Sequence, residues 1–234
     1  MLNSVPSPIL VIAGGVFPSI HVQRALPPAA MCFAADSGLD HAFALGLTPK
    51  RLFGDLDSVS PDGLQKASQL GIPIDRHPRR KDFTDLEATL DHAVSAGPDR
   101  LVLVAIDGGR ADHELANLLL MSSHRFVGSK SRSGQPIAVD ALAGTTRYSV
   151  IHNGSRKIDG RPGELLSLLP VHGDAFGVTT TGCEYRLDDE TLRAGSSRGV
   201  SNVVLSHEAT VSVTRGTLLA ILPDNLATAT EGVS

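Results

Sequence analysis

Two pairs of acidic residues stand out for their spacing. Asp55 and Asp57 flank one leucine in Gly54-Asp55-Leu56-Asp57-Ser58. If the extended backbone of Arg51-Leu52-Phe53 persists, residues two apart point the same way and the two carboxylates converge. Converging carboxylates suit Mg²⁺, a hard cation that takes oxygen ligands and is often completed by substrate phosphates. Asp and Ser also favour turns and helix caps, so this motif alone leaves both readings open. Asp82 and Asp85 form the second pair, in Lys81-Asp82-Phe83-Thr84-Asp85. A lone charged helix start is ordinary capping. Four carboxylates in one crevice, however, repel one another unless a cation holds them. Lys81 is placed to meet a phosphate.

A third cluster is Asp107-Gly108-Gly109-Arg110-Ala111-Asp112-His113. Its glycines let backbone approach a ligand closely. Arg110 presents a guanidinium fork suited to phosphate oxygens. His113 reads either as a helix-surface residue or as a phosphate or proton-transfer group. Gly14-Gly15 resembles a backbone turn beside a phosphate. Asp36 falls about 20 residues later, where dinucleotide folds carry a ribose-binding acid. The basic run His77-Pro78-Arg79-Arg80-Lys81 reads equally as a solvated loop or a phosphate contact. The chain has no G-x-x-x-x-G-K-[ST] P-loop and no G-x-G-x-x-G fingerprint. It also lacks a G-x-S-x-G nucleophile elbow.

The elements that must carry these residues alternate in type. Apolar runs at Ile9 to Ala13, Met31 to Ala35, Arg51 to Gly54 and Leu101 to Ile106 read as strands. Each ends in Gly or Asp, or runs into one. Ligands bind beyond the carboxyl ends of the strands of an open parallel sheet, so these acids are candidates for one shared site. Thr84 to Glu87 predicts a capping box opening a helix. Leu86, Leu90, Ala93 and Val94 make its apolar face, and Gly97-Pro98 stops it. A second helix is expected from about Asp112 to Ser122, burying Leu115, Leu118, Leu119 and Met121. The polar run Gly128 to Pro136 reads as a loop.

From about Gly144 the pattern changes to short β-type runs: Tyr148 to Ile151, Leu165 to Leu169, Ala175 to Thr180, Val203 to Leu205, Ala209 to Thr214 and Leu218 to Leu222. The expected fold is α/β: an N-terminal doubly wound, mostly parallel sheet domain over residues 1–143, then a C-terminal antiparallel β-sandwich over 144–226. A frayed tail is expected over 227–234.

Composition narrows the function classes. Of 234 residues, 41 % are hydrophobic and 20 % charged, as in a packed globular protein. A net charge of −4 gives little support for a nucleic-acid partner. Cys32 and Cys183 read as small buried residues of a reducing compartment. The first apolar run stops at Gly14-Gly15, too early for a signal peptide, and no run reaches the ~20 apolar residues of a membrane helix. A cytoplasmic protein with no membrane partner is the expectation.

In order, these motifs resemble the thiamine pyrophosphokinase (thiamine diphosphokinase) family. The carrying segments are Ala35-Asp36-Ser37-Gly38, Gly54 to Ser58, Lys81 to Glu87 and Gly108 to His113. Ser167-Leu168-Leu169-Pro170, Thr181-Gly182-Cys183-Glu184-Tyr185 and Gly199-Val200-Ser201-Asn202 look like the family's thiamine-binding domain. The likeness runs from about Ile9 to Leu222. It implies an α/β domain for Mg-ATP, a β-sandwich for thiamine, and a homodimer with the active site between subunits. It implies transfer of the β,γ-pyrophosphoryl group of ATP to the hydroxyethyl oxygen of thiamine, releasing AMP. Asp55, Asp57 and Asp85 match the family's metal-binding acids. Lys81, Asp82, Arg110, Asp112 and His113 match its phosphate side, with Thr84, Gly14, Gly15 and Asp36 grouped there too. Asp85, Arg110, Asp112 and His113 are the implied catalytic residues, with Asp112, His113 or a metal-held Asp as general base. Thr181, Gly182, Ser201 and Asn202 are the implied substrate contacts. Some members set a tryptophan against thiamine; this chain has none, so any stacking there falls to another side chain. Rival readings are transfer to another small alcohol such as a hydroxymethylpterin, a phosphohydrolase, and a non-catalytic nucleotide-binding protein.

Overall fold

A computed structural model describes residues 8–29 and 31–228. The first half is a parallel sheet whose strands are β1 (Ile9–Ile12), β2 (Met31–Ala35), β3 (Leu52–Gly54), β4 (Ile74–Arg76), β5 (Arg100–Val104) and β6 (Ala138–Ala143). They lie in the order β6-β5-β1-β2-β3-β4. Ile9 pairs with Met31 on one side and Leu101 on the other. Both faces are covered, as the unbroken apolar runs require. Along β1, Ile9 and Val11 enter one core with Phe33, Leu90 and Leu103, while Leu10 and Ile12 enter a second with Val22 and Val104. The crossover helices are α1 (Ile20–Ala25), α2 (Gly38–Ala44), α3 (Pro61–Gln69), α4 (Asp85–Ser95), α5 (Ala111–Met121) and the short α6 (His124–Val127). Strand order reverses around β1, the place where such sheets open a ligand crevice.

The expected start of α4 is present in half. Thr84 Oγ1 accepts the Glu87 N–H at 3.1 Å. The Glu87 carboxylate pairs instead with Arg125 on α6, which also holds Asp91. Leu86, Leu90 and Ala93 are buried, and Val94 packs against the same core.

The packing of α5 departs from expectation. Met121 is fully buried and Leu118 partly so, but Leu115 is 60 % exposed and Leu119 40 %. The helix rests on the sheet through the Leu118–Met121 side, while Leu115 and Leu119 on the other apolar side stay exposed, with His172 at the Leu119 carbonyl at 3.0 Å. Helical periodicity identified the apolar positions but not which of them the chain would cover.

The second half is antiparallel. It comprises β7 (Thr146–Asp159), β8 (Leu165–Thr181), β9 (Glu190–Leu192), β10 (Asn202–Val203) and β11 (Glu208–Leu222). Four of the short runs expected from the sequence merge in pairs into β8 and β11. Gly216, at φ +116, lets β11 bulge between Val213 and Thr217 instead of ending. A Cβ there would lie 2.7 Å from the Asp174 carbonyl oxygen. Residues on both sides of the bulge, such as Val211 and Leu218, share one core with Ile151, Leu168 and Val178. The expected tail also differs. Asn225–Thr228 form α7, and Leu226 inserts beside Leu10 and Ile12 in the first half. Residues 229–234 of that tail lie outside the described residues.

The halves join through the hairpin β6–β7, so the sheet runs unbroken across Gly144. Asp140, 1 % exposed, sits at this joint. Its carboxylate accepts from Arg100 Nε at 2.6 Å, from an Arg156 terminal nitrogen at 2.6 and 2.7 Å, and from Ser149 Oγ at 2.6 Å. Burial alone would push the Asp140 carboxyl up; Arg156 and Arg100 overcome it and hold the carboxyl below the usual range. Cys32 and Cys183 are free and buried, as expected, and burial pushes the Cys32 thiol up to about 12.

Candidate active site

Four strands deliver the chain to one edge of the parallel sheet. Gly14-Gly15 follow β1, Asp36 follows β2, Asp55 and Asp57 follow β3, and Asp107 follows β5. These residues line a cleft of about 660 Å³ together with Ser58, Arg79, Lys81, Thr84, Asp85, Arg110 and His113. Gly15 is required at its floor: its N–H donates to the Ala105 carbonyl at 2.9 Å, and a Cβ would lie 2.2 Å from the Asp107 carbonyl oxygen.

Asp55 and Asp57 converge, but through a turn rather than an extended run. Leu56 adopts φ +69, and the Asp57 N–H donates to Asp55 Oδ1 at 3.1 Å. A buried leucine held in the left-handed region is the kind of local strain that gathers at ligand sites. Asp36, itself at φ +47, completes the cluster. Carboxylate oxygens of Asp36, Asp55 and Asp57 lie within 4.8 Å of one another. Burial pushes the Asp36 carboxyl up; the charges of Asp85 and Asp55 add to this, while hydrogen bonds from Ser58 and the Ser37 backbone offset part of it. Asp36 Oδ1 is buried and receives no hydrogen bond. An orphaned carboxylate oxygen beside two others is a donor set of oxygens only, which fits a divalent cation such as Mg²⁺.

The acids named from sequence are therefore gathered differently from the set Asp55, Asp57, Asp85. Asp85 lines the cleft and lies close enough to Asp36 to affect its charge. Its carboxylate is paired with Lys81, Nζ lying 3.1 Å from Oδ1 and 3.3 Å from Oδ2. Lys81, only 8 % exposed, also donates to the Pro78 carbonyl at 3.3 Å. Asp82 is exposed and is not among the lining residues. Thr84 lines the cleft while its hydroxyl caps α4.

On the opposite wall, Gly108 and Gly109 both take positive φ, at +84 and +77. Arg110 forks onto Asp112, with contacts of 3.1 and 2.6 Å. Those hydrogen bonds hold the Asp112 carboxyl below its usual range and raise the guanidinium. Asp107 and Arg79, which the sequence marks only as members of longer runs, also line the cleft, as does Asn117, which no motif marks. Asp107 is half-buried; burial pushes its carboxyl up, and Glu114 adds to it. Its position at a strand end was the same signal that marked Asp36. Asn117 follows His113 by one helical turn and donates to the Ile106 carbonyl at 2.9 Å.

The four residues expected to contact substrate lie elsewhere, none of them on this cleft. Asn202 is 6 % exposed and fully engaged: Oδ1 accepts the N–H groups of Tyr185 at 2.9 Å and Val203 at 2.8 Å, and Nδ2 donates to the Tyr185 carbonyl at 2.8 Å. It clamps the backbone of Tyr185, a residue 63 % exposed. Ser201, at φ +60, donates its N–H to Ser167 Oγ at 3.1 Å. Gly182 takes φ +73 beside the Glu208 carbonyl, and Thr181 ends β8.

Comparison with known proteins places these features in a family. Residues 22–130 match the thiamin pyrophosphokinase catalytic domain, and residues 155–218 match the thiamin pyrophosphokinase vitamin B1 binding domain. The chain is similar to the thiamine pyrophosphokinase of Bacillus subtilis (strain 168), 27 % identical over 187 residues that cover 80 % of this chain and 84 % of that one. It is similar to thiamine pyrophosphokinase 1 of Oryza sativa subsp. japonica, 30 % identical over 71 % of this chain and 62 % of that one. Its fold matches the crystal structure of thiamine pyrophosphokinase from Bacillus subtilis with a TM-score of 0.79 and 24 % identity, over 92 % of this chain and 98 % of that one.

Proposed function

The chain belongs to the thiamin pyrophosphokinase family, and we infer that it transfers the pyrophosphoryl group of ATP to the hydroxyl of thiamine, giving thiamine diphosphate and AMP. The vitamin B1 binding match over residues 155–218 disfavours another alcohol, water or a silent nucleotide-binding role. The observation that carries the reading is the cleft, where Asp36, Asp55 and Asp57 approach within 4.8 Å among phosphate-seeking cations.

In this reading residues 1–143 form the nucleotide domain and 144–226 the thiamine domain, in a cytoplasmic enzyme. The metal is Mg²⁺, held by Asp55 and Asp57 with Asp36, and with Asp85 adjoining. When bound, it neutralises phosphate charge and polarises the group transferred. Lys81 and Arg110 offset charge as the bond between the α-phosphate and the β-phosphate breaks. Gly14, Gly15, Gly108 and Gly109 admit the polyphosphate close to backbone. The thiamine hydroxyl oxygen forms a bond to the β-phosphorus, AMP departs, and the hydroxyl proton passes to the protein. Asp112 is a poor acceptor, because Arg110 holds it ionised and occupied. His113, which lines the cleft, is the acceptor in this reading.

A homodimer completes the site. In support, Thr181, Gly182, Ser201 and Asn202 do not reach their own chain's cleft, and Leu115 and Leu119 are left exposed one turn beyond Arg110 to His113. Tyr185, clamped by Asn202, supplies the aromatic face in place of tryptophan.

The test is AMP release from ATP. It should require both thiamine and Mg²⁺ and stop with a chelator. AMP release at full rate without thiamine would assign a hydrolase instead.

A further inference from the structure

The run His77-Pro78-Arg79-Arg80-Lys81 contains a cation that the reaction as described does not use. The loop is pinned at its start beside the metal acids. The His77 N–H donates to the Gly54 carbonyl at 3.1 Å, and the His77 ring packs edge-on against Phe53 and Phe83 at 6.4 and 5.4 Å. At its end, Lys81 folds back onto the Pro78 carbonyl and commits its ammonium to Asp85. Between these two anchors Arg79 reaches over the cleft, and Arg80 does not. The Arg79 guanidinium lies 3.3 Å from Asp57 Oδ2, with its side chain 82 % exposed.

The three Lys and Arg side chains on the cleft are therefore not equivalent. Lys81 is buried in its ion pair, and Arg110 is held by a two-point fork at 3.1 and 2.6 Å. Arg79 makes one long contact, and its partner is a carboxylate of the oxygen cluster. We propose that Arg79 is an exchangeable phosphate ligand: it pairs with Asp57 before metal and nucleotide bind, yields that carboxylate to the divalent cation, and transfers its guanidinium to the polyphosphate of the incoming nucleotide. The inference rests on the metal and nucleotide reading of the cleft given above. A cation bound at Asp57 repels the guanidinium, which removes the reason for the pair. The planar fork then finds in phosphate oxygens the geometry that Arg matches best.

The exchange predicts effects of opposite sign from one substitution. Arg79→Ala removes a competitor for Asp57 and a ligand for phosphate. Mn²⁺ binding without nucleotide, followed by electron paramagnetic resonance, should tighten by up to about fivefold, the scale of an exposed ion pair. Binding of Mg²⁺-α,β-methylene-ATP, which cannot transfer its pyrophosphoryl group, should weaken by about tenfold or more in calorimetry, the scale of a hydrogen bond to a charged group. Arg79→Lys should keep the Mn²⁺ affinity of the wild type and recover only part of the nucleotide binding. Arg80→Ala should change neither. An Arg79→Ala protein unchanged in both measurements, or weakened in both, overturns the exchange. A wild-type chain that binds no Mn²⁺ and forms no AMP from ATP and thiamine overturns the underlying reading as well, so the two failures are told apart.

Discussion

Asp140→Asn should cost the fold dearly and leave the chemistry alone. The substitution keeps shape and removes one charge from a site that is 1 % exposed. Two guanidinium groups remain, Arg156 with its side chain 20 % exposed and Arg100 at 38 %, and the new amide turns N–H groups toward one of them. Removing one partner of a buried ion pair typically costs about 3–5 kcal/mol. At about 2–4 °C per kcal/mol for a chain of this size, Tm should fall by roughly 10 °C at pH 7. The sign with pH follows from the carboxyl's depressed value. Its folded pKa lies below the unfolded one, near 4, so its stabilisation is full above that pH and fades as pH drops further. Thermal unfolding of wild type and variant from pH 7 to pH 3 should show the gap narrowing below about pH 4. Asp140 is not on the cleft, so kcat of the folded variant should stay within about twofold at a temperature well below its Tm. A Tm loss under about 2 °C, or a gap that does not change with pH, would refute the reasoning that the joint between the two halves depends on this charge.

The same substitution at the cleft should do the reverse. Asp57→Asn should lower kcat by about 100-fold or more, the scale of losing a charge-stabilising contact, while Tm changes by no more than about 4 °C, since its ion pair with Arg79 is exposed. Steady-state rates and a melting curve check both. Tyr185→Ala should raise KM for thiamine by about tenfold with kcat less affected, and Tyr185→Phe should restore it, because stacking uses the ring face and not the hydroxyl. Leu115→Glu places a charge on the bare side of α5; sedimentation should shift toward monomer, and turnover should fall with it.

Much of this site was legible before folding because its signal is local. Strand ends carrying Gly or Asp, and a Thr84-capped helix behind Asp85, can be read within a few residues. What could not be read depends on contacts between distant segments. Asp36 belongs with Asp55 and Asp57 because β2 lies beside β3, whereas its distance from Gly14-Gly15 suggests a ribose contact and the family likeness puts Asp85 with Asp55 and Asp57. Lys81 is four residues from Asp85 on the incoming loop and pairs with it, while Asp85 still lies near enough to act on the charge of Asp36. Convergence of Asp55 and Asp57 was foreseen, but its cause was a left-handed Leu56, which no propensity favours. In the second half, the expected runs Ala209 to Thr214 and Leu218 to Leu222 prove to be one strand with a bulge at Gly216, since strands on both sides of β11 hold its two parts in one core. The apolar pattern of α5 was correct in type and silent about cover. Leu115 and Leu119 are left exposed, and periodicity does not report what lies opposite.

The central claim concerns which bond of ATP is broken and where both outer phosphates go. ATP labelled at the β-phosphorus, incubated with the protein, Mg²⁺ and thiamine and followed by phosphorus NMR, reads this directly. The account predicts AMP and thiamine diphosphate in equal amounts, with all the label on the phosphorus bonded to thiamine. Label retained in ADP beside thiamine monophosphate, or released as inorganic phosphate or pyrophosphate, would contradict it.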